Sequence, residues 1–257
     1  MGQFLVTPED IRDKKFRLKG PEAYHVTRVL RAQEGQTIEL FDGKGGRYKG
    51  KLHKIYPDGT VEGEITDELK KPQASIPVTV NLYIGLLKPS HFEWALEKGT
   101  EIGVARFIPV VTPRTVVKLR ELGPNKRKRW TKIVESAAKQ SLRFELPKIE
   151  EPAHFRDAII SASKEGTTLV GWVKTAGRST YAGLKEVLQE ARKNADPKNG
   201  LVINLFIGPE GGFSEEEIQL AETKGAHMVS LGAHTLRSET AAVAAAAIVL
   251  YELSSTL

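Results

Sequence analysis

Two glycine-rich segments near the C-terminus combine residue types that can hold a flat polar ligand and stabilise charge on it. The first runs Gly-Pro-Glu-Gly-Gly-Phe over residues 208–213. The second runs Leu-Gly-Ala-His-Thr-Leu-Arg-Ser-Glu-Thr-Ala over residues 231–241, so that Arg237 precedes Glu239 by two positions. Backbone donors and acceptors, a fixed positive charge and a carboxylate in such short stretches predict a small-molecule site.

Each segment joins an apolar run to the start of a helix. The run 201–207 predicts a buried strand that ends at the Gly-Pro pair, and the two glycines that follow allow positive φ or close approach of a ligand. Ser214 and Glu217 then have the spacing of a capping box. The second segment repeats this plan, with a short strand at 228–231, a glycine turn, and a helix from Thr240 onward. Taken singly, each segment also fits a tight turn that only caps a helix.

Composition restricts the class of protein. At 257 residues the chain is predicted to hold two domains, because a single core stops growing near this size. No apolar run approaches the ~20 residues of a membrane span, and the N-terminus lacks the pattern of a signal peptide. The absence of cysteine excludes a disulfide framework and a thiolate metal site. We therefore expect a cytoplasmic protein with no membrane partner.

Positive charge is concentrated in one part of the chain. Residues 114–143 contain ten basic and two acidic residues, a charge of +8, whereas the whole chain carries +6. Such a stripe is expected for a polyanion partner, because each neutralised phosphate releases counterions. The basic run 126–129 follows a Gly-Pro pair and is expected to be exposed. The pattern favours a nucleic acid over a merely solvated loop.

The N-terminal part of the chain is rich in strand formers. Segments 37–41, 47–55 and 60–65 predict short strands separated by Gly and Asp turns, as in a small barrel or sandwich.

A short helix is predicted between the first residues and these strands. It places Val26, Val29 and Leu30 on one face and Arg28 and Arg31 on the other, so both arginines are expected to be exposed.

Beyond a proline-bracketed linker near residues 69–77, strands and helices alternate. Strands are predicted at 78–87, 107–111 and 168–172, and helices at 92–102, 126–141 and 181–193. This alternation predicts a mostly parallel sheet covered by helices, with ligands beyond the carboxyl ends of the strands.

The last helix, residues 240–253, is apolar nearly all round and rich in alanine. Such a helix must be buried, either in the core of its own domain or against a second copy of the chain.

Several common kinds of catalytic site are absent. The six histidines show no metal-binding spacing, and the sequence contains no Walker A motif, no GxGxxG opening the α/β region and no GxSxG. Without cysteine a covalent thiol route is impossible. Transfer of a methyl group from a sulfonium donor fits what remains, because donor and acceptor need alignment and desolvation more than covalent help.

In its two glycine-rich segments the chain resembles the RsmE family of 16S ribosomal RNA uridine-N3 methyltransferases, within the SPOUT superfamily. The two glycine-rich blocks carry the resemblance, with support from stretches at 25–31, 97–104, 109–114 and 130–143. The second block departs from the family at His234 and Thr235, where Arg-Ile is usual, and at Ser238, where Thr is frequent.

The resemblance implies an α/β fold in which a SPOUT methyltransferase domain, residues 72–257, contains a C-terminal trefoil knot. A PUA-like β-barrel for RNA binding, residues 1–71, is expected to precede it. The resemblance also implies a homodimer with the cofactor pocket near the subunit interface. S-adenosyl-L-methionine is the expected cofactor, and 16S ribosomal RNA or the small ribosomal subunit the expected partner. The expected reaction methylates N3 of a uridine flipped out of its RNA context.

In this interpretation the cofactor lies across both loops, with its adenine on backbone groups of 231–236 and its amino-acid end near 208–212. Arg237 is the candidate for stabilising charge on the uracil oxygens. Glu239 is the candidate for orienting Arg237 or accepting the N3 proton, and the alternative is that Glu239 only caps its helix. The predicted cofactor-binding residues are Gly208, Pro209, Glu210, Gly211, Gly212, Leu231, Gly232, Thr235, Leu236 and Thr240. The predicted RNA contacts are Arg28, Arg31, Arg114, Lys126, Arg127, Lys128, Arg129 and Arg143.

Two other functions remain open at this point. One is a non-catalytic ribosome-assembly factor that binds RNA with the same domains. The other is a SPOUT enzyme that methylates ribose hydroxyls.

Overall fold

The structure is a computed structural model that describes residues 3–71, 76–117, 123–172, 183–196 and 199–253. The chain divides into two compact units, one formed by residues 1–72 and 135–146 and the other by 73–134 and 147–257. The predicted linker at 69–77 contains residues 72–75, which lie outside the described residues, as do Tyr181 and Ala182 of a predicted helix.

The first unit contains a six-stranded sheet. Its strands are β1 (Phe4–Leu5), β2 (Ile11–Arg12), β3 (Lys15–Leu18), β4 (Thr37–Phe41), β5 (Arg47–Ile55) and β6 (Val61–Glu68). Their spatial order is β1-β4-β5-β6-β3-β2, and all pairs are antiparallel except β1 with β4. Alternate residues such as Phe16, Leu18, Leu40 and Leu52 are buried in one core, which confirms the predicted strand-rich character of this region.

The predicted amphipathic helix of this unit is only partly correct. The chain forms α1 (Gly20–Tyr24) and then continues as a π-helix, His25–Val29. The wider π turn changes the angular positions of the side chains, so that Val26 is buried whereas Val29 and Leu30 are 59% and 47% exposed.

The second unit contains a seven-stranded sheet in which every pair is parallel. Its strands are β7 (Val78–Gly85), β8 (Arg106–Val111), β9 (Lys148–Ile149), β10 (Ala153–His154), β11 (Thr167–Gly171), β12 (Leu201–Ile207) and β13 (His227–Val229). Six of them follow the order β10-β8-β7-β12-β11-β13, and β9 pairs with β8. This confirms the predicted parallel sheet.

Helices cover both faces of this sheet. They are α2 (Pro89–Ile102), α4 (Phe155–Glu165), α5 (Leu184–Lys193), α6 (Glu215–Thr223) and α7 (Ser238–Leu253). Helix α3 (Pro124–Gln140) begins in this unit, and its residues from Glu135 onward belong to the first unit. One face of the sheet packs with α2, α5 and α7, and the other with α4 and α6. Burial on both faces explains why the strands appear in the sequence as continuous apolar runs.

Helix α4 is absent from the predicted elements, although its sequence carries a helical signal. Phe155, Ala158, Ile159 and Ala162 are buried and have the i, i+3, i+4, i+7 spacing of an amphipathic helix.

The polar residue inside β12 belongs to a buried hydrogen-bond chain. Asn204 lies opposite Asn81 of β7, whose Nδ2 donates to Asn204 Oδ1 at 2.8 Å. Asn204 Nδ2 donates to the carbonyl of Ala162 at 2.8 Å, and Arg106 Nε donates to Asn81 Oδ1 at 2.9 Å. These bonds satisfy the amides, which would otherwise be costly to bury.

The last helix is buried on one side only. Ala242, Ala245 and Val249 of α7 lie in the core, whereas Ile248 and Tyr251 are 44% and 78% exposed. Burial in the core of its own domain, the first predicted alternative, therefore holds for one face of α7, and burial against a second copy stays a prediction for the other face.

Within the described ranges, no helix has the length and hydropathy that crossing a membrane requires.

Candidate functional site

The two glycine-rich loops face one cavity of about 560 Å³ in the second unit. The cavity lies beyond the carboxyl ends of β11, β12 and β13, where ligands bind in open parallel sheets. Its lining consists of Arg114, Gly171, Trp172, Ile207, Gly208, Pro209, Glu210, Gly211, Gly212, Phe213, Ser230, Leu231, Gly232, Ala233, His234, Thr235, Leu236, Ser238 and Ala241.

The first loop, Gly208–Phe213, is packed tightly against the end of β7. A Cβ atom placed on Gly85 would lie 2.3 Å from the backbone nitrogen of Pro209, so only glycine permits this approach. Within the loop, the Gly212 N–H donates to the Pro209 carbonyl at 2.8 Å, and Gly212 has a φ of 68°. The positive φ that the sequence predicts for this glycine pair is thus confirmed at Gly212.

Arg114 holds the same loop from the end of β8. Its backbone N–H donates to Thr112 Oγ1 at 3.2 Å, in a turn where the Thr112 N–H also donates to Thr115 Oγ1 at 2.9 Å. The Arg114 Nη1 atom then donates to the carbonyls of Gly211 and Phe213, both at 3.1 Å. The residue predicted as an RNA contact is therefore engaged in fixing the first wall of the cavity.

The helix that follows the first loop begins with the predicted capping box. The Glu217 N–H donates to Ser214 Oγ at 3.3 Å, and the Ser214 N–H donates to Glu217 Oε2 at 2.8 Å. Burial raises the pKa of the Glu217 carboxyl above its ordinary value, although hydrogen bonding and the charge of Arg114 act in the opposite direction. Its second oxygen, Oε1, is buried without a hydrogen-bond partner in the described structure.

The second loop follows β13 and is far more open. The stretch Gly232–Thr235 is exposed, and Gly232 has a φ of 126°. Ser230 Oγ and the backbone of Gly232 exchange hydrogen bonds at 3.2 and 3.4 Å. Among the described residues, none accepts a hydrogen bond from the backbone N–H groups of Ala233 to Leu236. These groups are free to bind the edge of a planar polar ligand.

The two predicted catalytic residues lie at the start of α7 but do not line the cavity. Arg237 is exposed, and its carbonyl accepts from the Ala241 N–H at 2.8 Å. Glu239 is buried, and its carboxylate lies 3.7 Å from His91 Nδ1. No ion pair within 4.0 Å joins Arg237 to Glu239 or to another carboxylate of the described residues, so the structure does not show Glu239 orienting Arg237.

The structure brings nine of the ten predicted cofactor residues to the cavity, and Thr240 is exposed outside its lining. Sequence reasoning did not predict Gly171 and Trp172 as site residues. Gly171 is the last residue of β11 and Trp172 follows it, so both lie at the same carboxyl edge of the sheet as the two loops. Sequence reasoning also missed Ser230 and the alanine at position 241.

The predicted RNA contacts lie in several different environments. Arg28 and Arg31 are exposed and form no ion pair with a described residue. In α3, Arg127 pairs with Glu151, and Arg129 Nη2 pairs with Glu93 at 2.6 Å.

The remaining predicted RNA contacts, Lys126, Lys128 and Arg143, lie in other environments. Lys126 and Lys128 have no described carboxylate within 4.0 Å. Lys128 is exposed, whereas Lys126 is half-buried. Arg143 is half-buried, and burial lowers the pKa of its guanidinium. Three further charged residues of the basic window, Lys118, Arg120 and Glu121, lie outside the described residues.

A larger cavity, about 840 Å³, lies at the opposite edge of the same sheet. It is lined near Gly166, Thr167 and Leu201, at the amino ends of β11 and β12. Neither predicted loop reaches it, and the amino edge of a parallel sheet is not where ligand sites form. The smaller cavity is therefore the candidate site.

No group of three or more His, Asp or Glu side chains in the described part of the chain has a geometry that could hold a metal ion.

Two family models match the chain. The model described as RNA methyltransferase domain matches residues 74–250, and the model described as RNA methyltransferase PUA domain matches residues 18–66.

Individual relatives agree with these matches. The chain is 34% identical to the ribosomal RNA small subunit methyltransferase E of Synechocystis, covering 95% of this chain and 76% of that protein. It is 29% identical to the protein of the same name from Bacillus subtilis, covering 92% and 90%. A crystal structure of a ribosomal RNA small subunit methyltransferase E from Neisseria gonorrhoeae, bound to S-adenosyl methionine, superposes with a TM-score of 0.78 at 28% identity, covering 98% and 97%. The chain therefore belongs to the ribosomal RNA small subunit methyltransferase E family, with an RNA methyltransferase domain and a PUA domain.

Proposed function

We propose that this protein transfers a methyl group from S-adenosyl-L-methionine to N3 of a uridine in the 16S RNA of the small ribosomal subunit. One observation carries the proposal: the two loops that match the family motifs line a single cavity at the carboxyl edge of a parallel sheet. The relatives' names and the cofactor bound in the Neisseria protein support the cofactor and the RNA substrate.

The cavity fits the cofactor in size and in chemistry. A volume of about 560 Å³ is within the range of small-molecule pockets. Free backbone N–H groups in Ala233–Leu236 would hold the adenine edge, while Trp172 and Leu236 offer apolar surface. Gly208–Gly212 would hold the amino-acid end, because its three glycines leave the backbone open to close approach. When bound, S-adenosyl-L-methionine supplies an electrophilic methyl group.

Arg237 is the residue that we propose for charge stabilisation. The N3 atom of uracil carries a weakly acidic proton, and its loss to solvent places negative charge on the two neighbouring carbonyl oxygens. This charge is neutralised as N3 bonds to the methyl carbon and the bond between that carbon and the donor sulfur breaks. An exposed guanidinium without an ion-pair partner in the described structure can donate to such an oxygen.

The PUA domain supplies the RNA contacts that the structure leaves most available. Arg28 and Arg31 are exposed and unpaired among the described residues, together with the exposed Tyr24. Changing both arginines to Gln should weaken RNA binding and reduce its salt dependence by roughly one counterion per residue. Arg17→Gln is the matched control, because Arg17 belongs to the same unit but already pairs with Glu62. Equal effects of the two changes would remove Arg28 and Arg31 from the interface.

The deciding experiment is mass spectrometry of nucleosides after small-subunit RNA has reacted with the protein and S-adenosyl-L-methionine. We expect 3-methyluridine with the wild-type protein and little or none with Arg237→Ala. A 2'-O-methylated nucleoside would instead identify a ribose methyltransferase. Absence of any product, combined with no cofactor binding in calorimetry, would identify a non-catalytic RNA-binding factor.

We also propose a homodimer formed through α7. Ile248 and Tyr251 on this helix are large, apolar and exposed, which is unusual for a helix otherwise packed in the core. Tyr251→Glu should convert a dimer into a monomer in analytical ultracentrifugation. Val116→Glu, a change at another exposed apolar residue of the same unit, should not.

Three further parts of the proposal follow from the family. The PUA domain is assigned to residues 1–71 and the methyltransferase domain to 72–257, and the protein is expected to act in the cytoplasm.

The C-terminal segment of the second domain is proposed to be threaded as a trefoil knot. Stretching the unfolded chain by its ends would test the knot, because a tightened knot leaves the chain shorter than its full contour length.

A further inference from the structure

His91 does not line the cavity. It lies between the first glycine-rich loop and the start of α7, which carry residues of the two cavity walls. It is the third residue of α2. Its Nδ1 atom is 3.7 Å from Glu210 Oε1, on the first glycine-rich loop, and 3.7 Å from Glu239 Oε2, at the start of α7. One imidazole nitrogen therefore faces a carboxylate from each wall.

The carboxylate of Glu239 depends on this histidine. Its side chain is only 11% exposed, and both Glu239 Oε2 and His91 Nδ1 are buried without a hydrogen-bond partner in the described structure. Among the described residues, His91 is the sole basic side chain within 4.0 Å of the Glu239 carboxylate. A buried carboxylate without a countercharge is strongly unfavourable.

The first loop is tied to the same point. Glu210 Oε1 accepts a hydrogen bond from the backbone N–H of Lys88 at 3.2 Å, at the N-terminus of α2. The start of α2 therefore presents two groups to Glu210, namely the N–H of its N-cap residue Lys88 and the His91 ring. The loop, α2 and α7 meet around these three side chains.

We propose that His91 is a positioning residue that joins Glu210 of the first loop to Glu239 of α7 and so sets the separation of the two cavity walls. This inference rests on the proposed function, because the ligand whose affinity it controls is S-adenosyl-L-methionine. It assigns Glu239 to the support of the second wall through His91.

The geometry indicates which property of His91 matters. A separation of 3.7 Å is too long for a hydrogen bond, so a contact between His91 and the two carboxylates can act only through charge. A cation at this position should therefore be sufficient, whereas a neutral hydrogen-bonding side chain should not. Lysine and glutamine separate these two possibilities.

The test compares His91→Gln and His91→Lys in the full-length protein. Calorimetry gives the Kd for S-adenosyl-L-methionine, and steady-state kinetics give kcat and KM. We expect His91→Gln to raise the Kd roughly 10-fold, equivalent to one buried charge contact of ordinary strength. At saturating cofactor its kcat should change much less, because His91 does not touch the reacting atoms. His91→Lys should restore the Kd to within about threefold of the wild type. His154→Gln, at an exposed histidine of the same unit, should leave the Kd unchanged.

A double variant keeps the test decisive if His91→Gln folds poorly. His91→Gln combined with Glu239→Gln removes the buried charge together with its partner, so thermal stability should recover relative to His91→Gln alone. Cofactor affinity should stay low, because the connection between the walls is still broken.

Three outcomes would overturn the inference. These are an unchanged Kd in His91→Gln, equal losses in the Gln and Lys variants, and recovery of cofactor affinity in the double variant. A wild-type protein that does not bind S-adenosyl-L-methionine would instead overturn the proposed function, so the two failures are distinguishable.

Discussion

The two glycine-rich loops have the same local plan, a strand followed by a turn and a helix, but the protein holds them very differently. The first loop is fixed by the close approach of Gly85 to Pro209, by two hydrogen bonds from Arg114, and by a capping box. The second loop has an exposed backbone over Gly232–Thr235 and few internal bonds.

This difference suggests a division of roles within one site. A rigid wall provides a reference surface against which a cofactor can be aligned, because its backbone has little freedom left to lose. An open wall keeps donors and a guanidinium available for ligands. Changes in the first loop should therefore act on stability and cofactor affinity, whereas loss of the Arg237 guanidinium beside the second loop should act on turnover.

The largest expected effect is at Arg237, on the open side. Arg237→Ala should lower kcat roughly 10²- to 10³-fold, the cost of losing one preorganised donor to a developing oxyanion. The Kd for S-adenosyl-L-methionine should change little, because the side chain does not line the cavity. Single-turnover kinetics and calorimetry measure the two quantities separately. Unchanged turnover would remove Arg237 from the chemistry and break the proposed division of roles.

The next effect is at Gly85, behind the rigid wall. In Gly85→Ala the new Cβ would collide with the backbone of Pro209, so we expect a loss of about 1–3 kcal/mol in the free energy of unfolding. Cofactor binding should weaken as the first loop is displaced. Gly123→Ala is the control, because a Cβ at that position meets no atom within 4 Å. Chemical denaturation compares the two, and equal stabilities would mean that this contact does not fix the loop.

A smaller effect on stability is expected at two serines, each of which lies next to one of the loops. Ser214→Ala removes the cap of α6 and should cost about 1 kcal/mol of stability. Ser230→Ala removes only long bonds to an exposed glycine of the second loop, and should cost less than about 0.5 kcal/mol. Denaturation midpoints measured side by side test this order. A larger loss at Ser230 would show that the second loop is held more firmly than its exposure indicates.

The smallest expected effect is the pH dependence of stability that Glu217 causes. Because burial raises its pKa, the folded protein binds this proton more tightly than the unfolded chain, so its contribution to stability falls as pH rises through the range above about 4. Glu217→Gln keeps a side chain suited to the capping box but removes the charge. We expect the variant to equal or exceed the wild type in melting temperature near pH 7, with the difference shrinking toward about pH 4. A variant that loses most stability at neutral pH would contradict this.

The sequence predicted the local parts of the candidate site well. The strand at Leu201–Ile207, the capping box at Ser214 and the turn at Gly232 follow from short-range patterns, and the structure confirms each of them. Nine of ten predicted cofactor residues line one cavity, because parallel strands bring the loops after them to the same edge of the sheet. The same reasoning from short-range patterns could have predicted helix α4, because its buried residues have amphipathic spacing.

The sequence by itself determined most of the alternating strands and helices of the second unit, the positions of both loops and the concentration of positive charge, because each depends on neighbouring residues. Tertiary structure decided how individual side chains are used. It directs Arg114 to the first loop and pairs Arg129 with Glu93. It also turns Glu239 toward His91. These partners lie far apart in the chain, and an isolated charge in the sequence carries no information about which distant group will neutralise it.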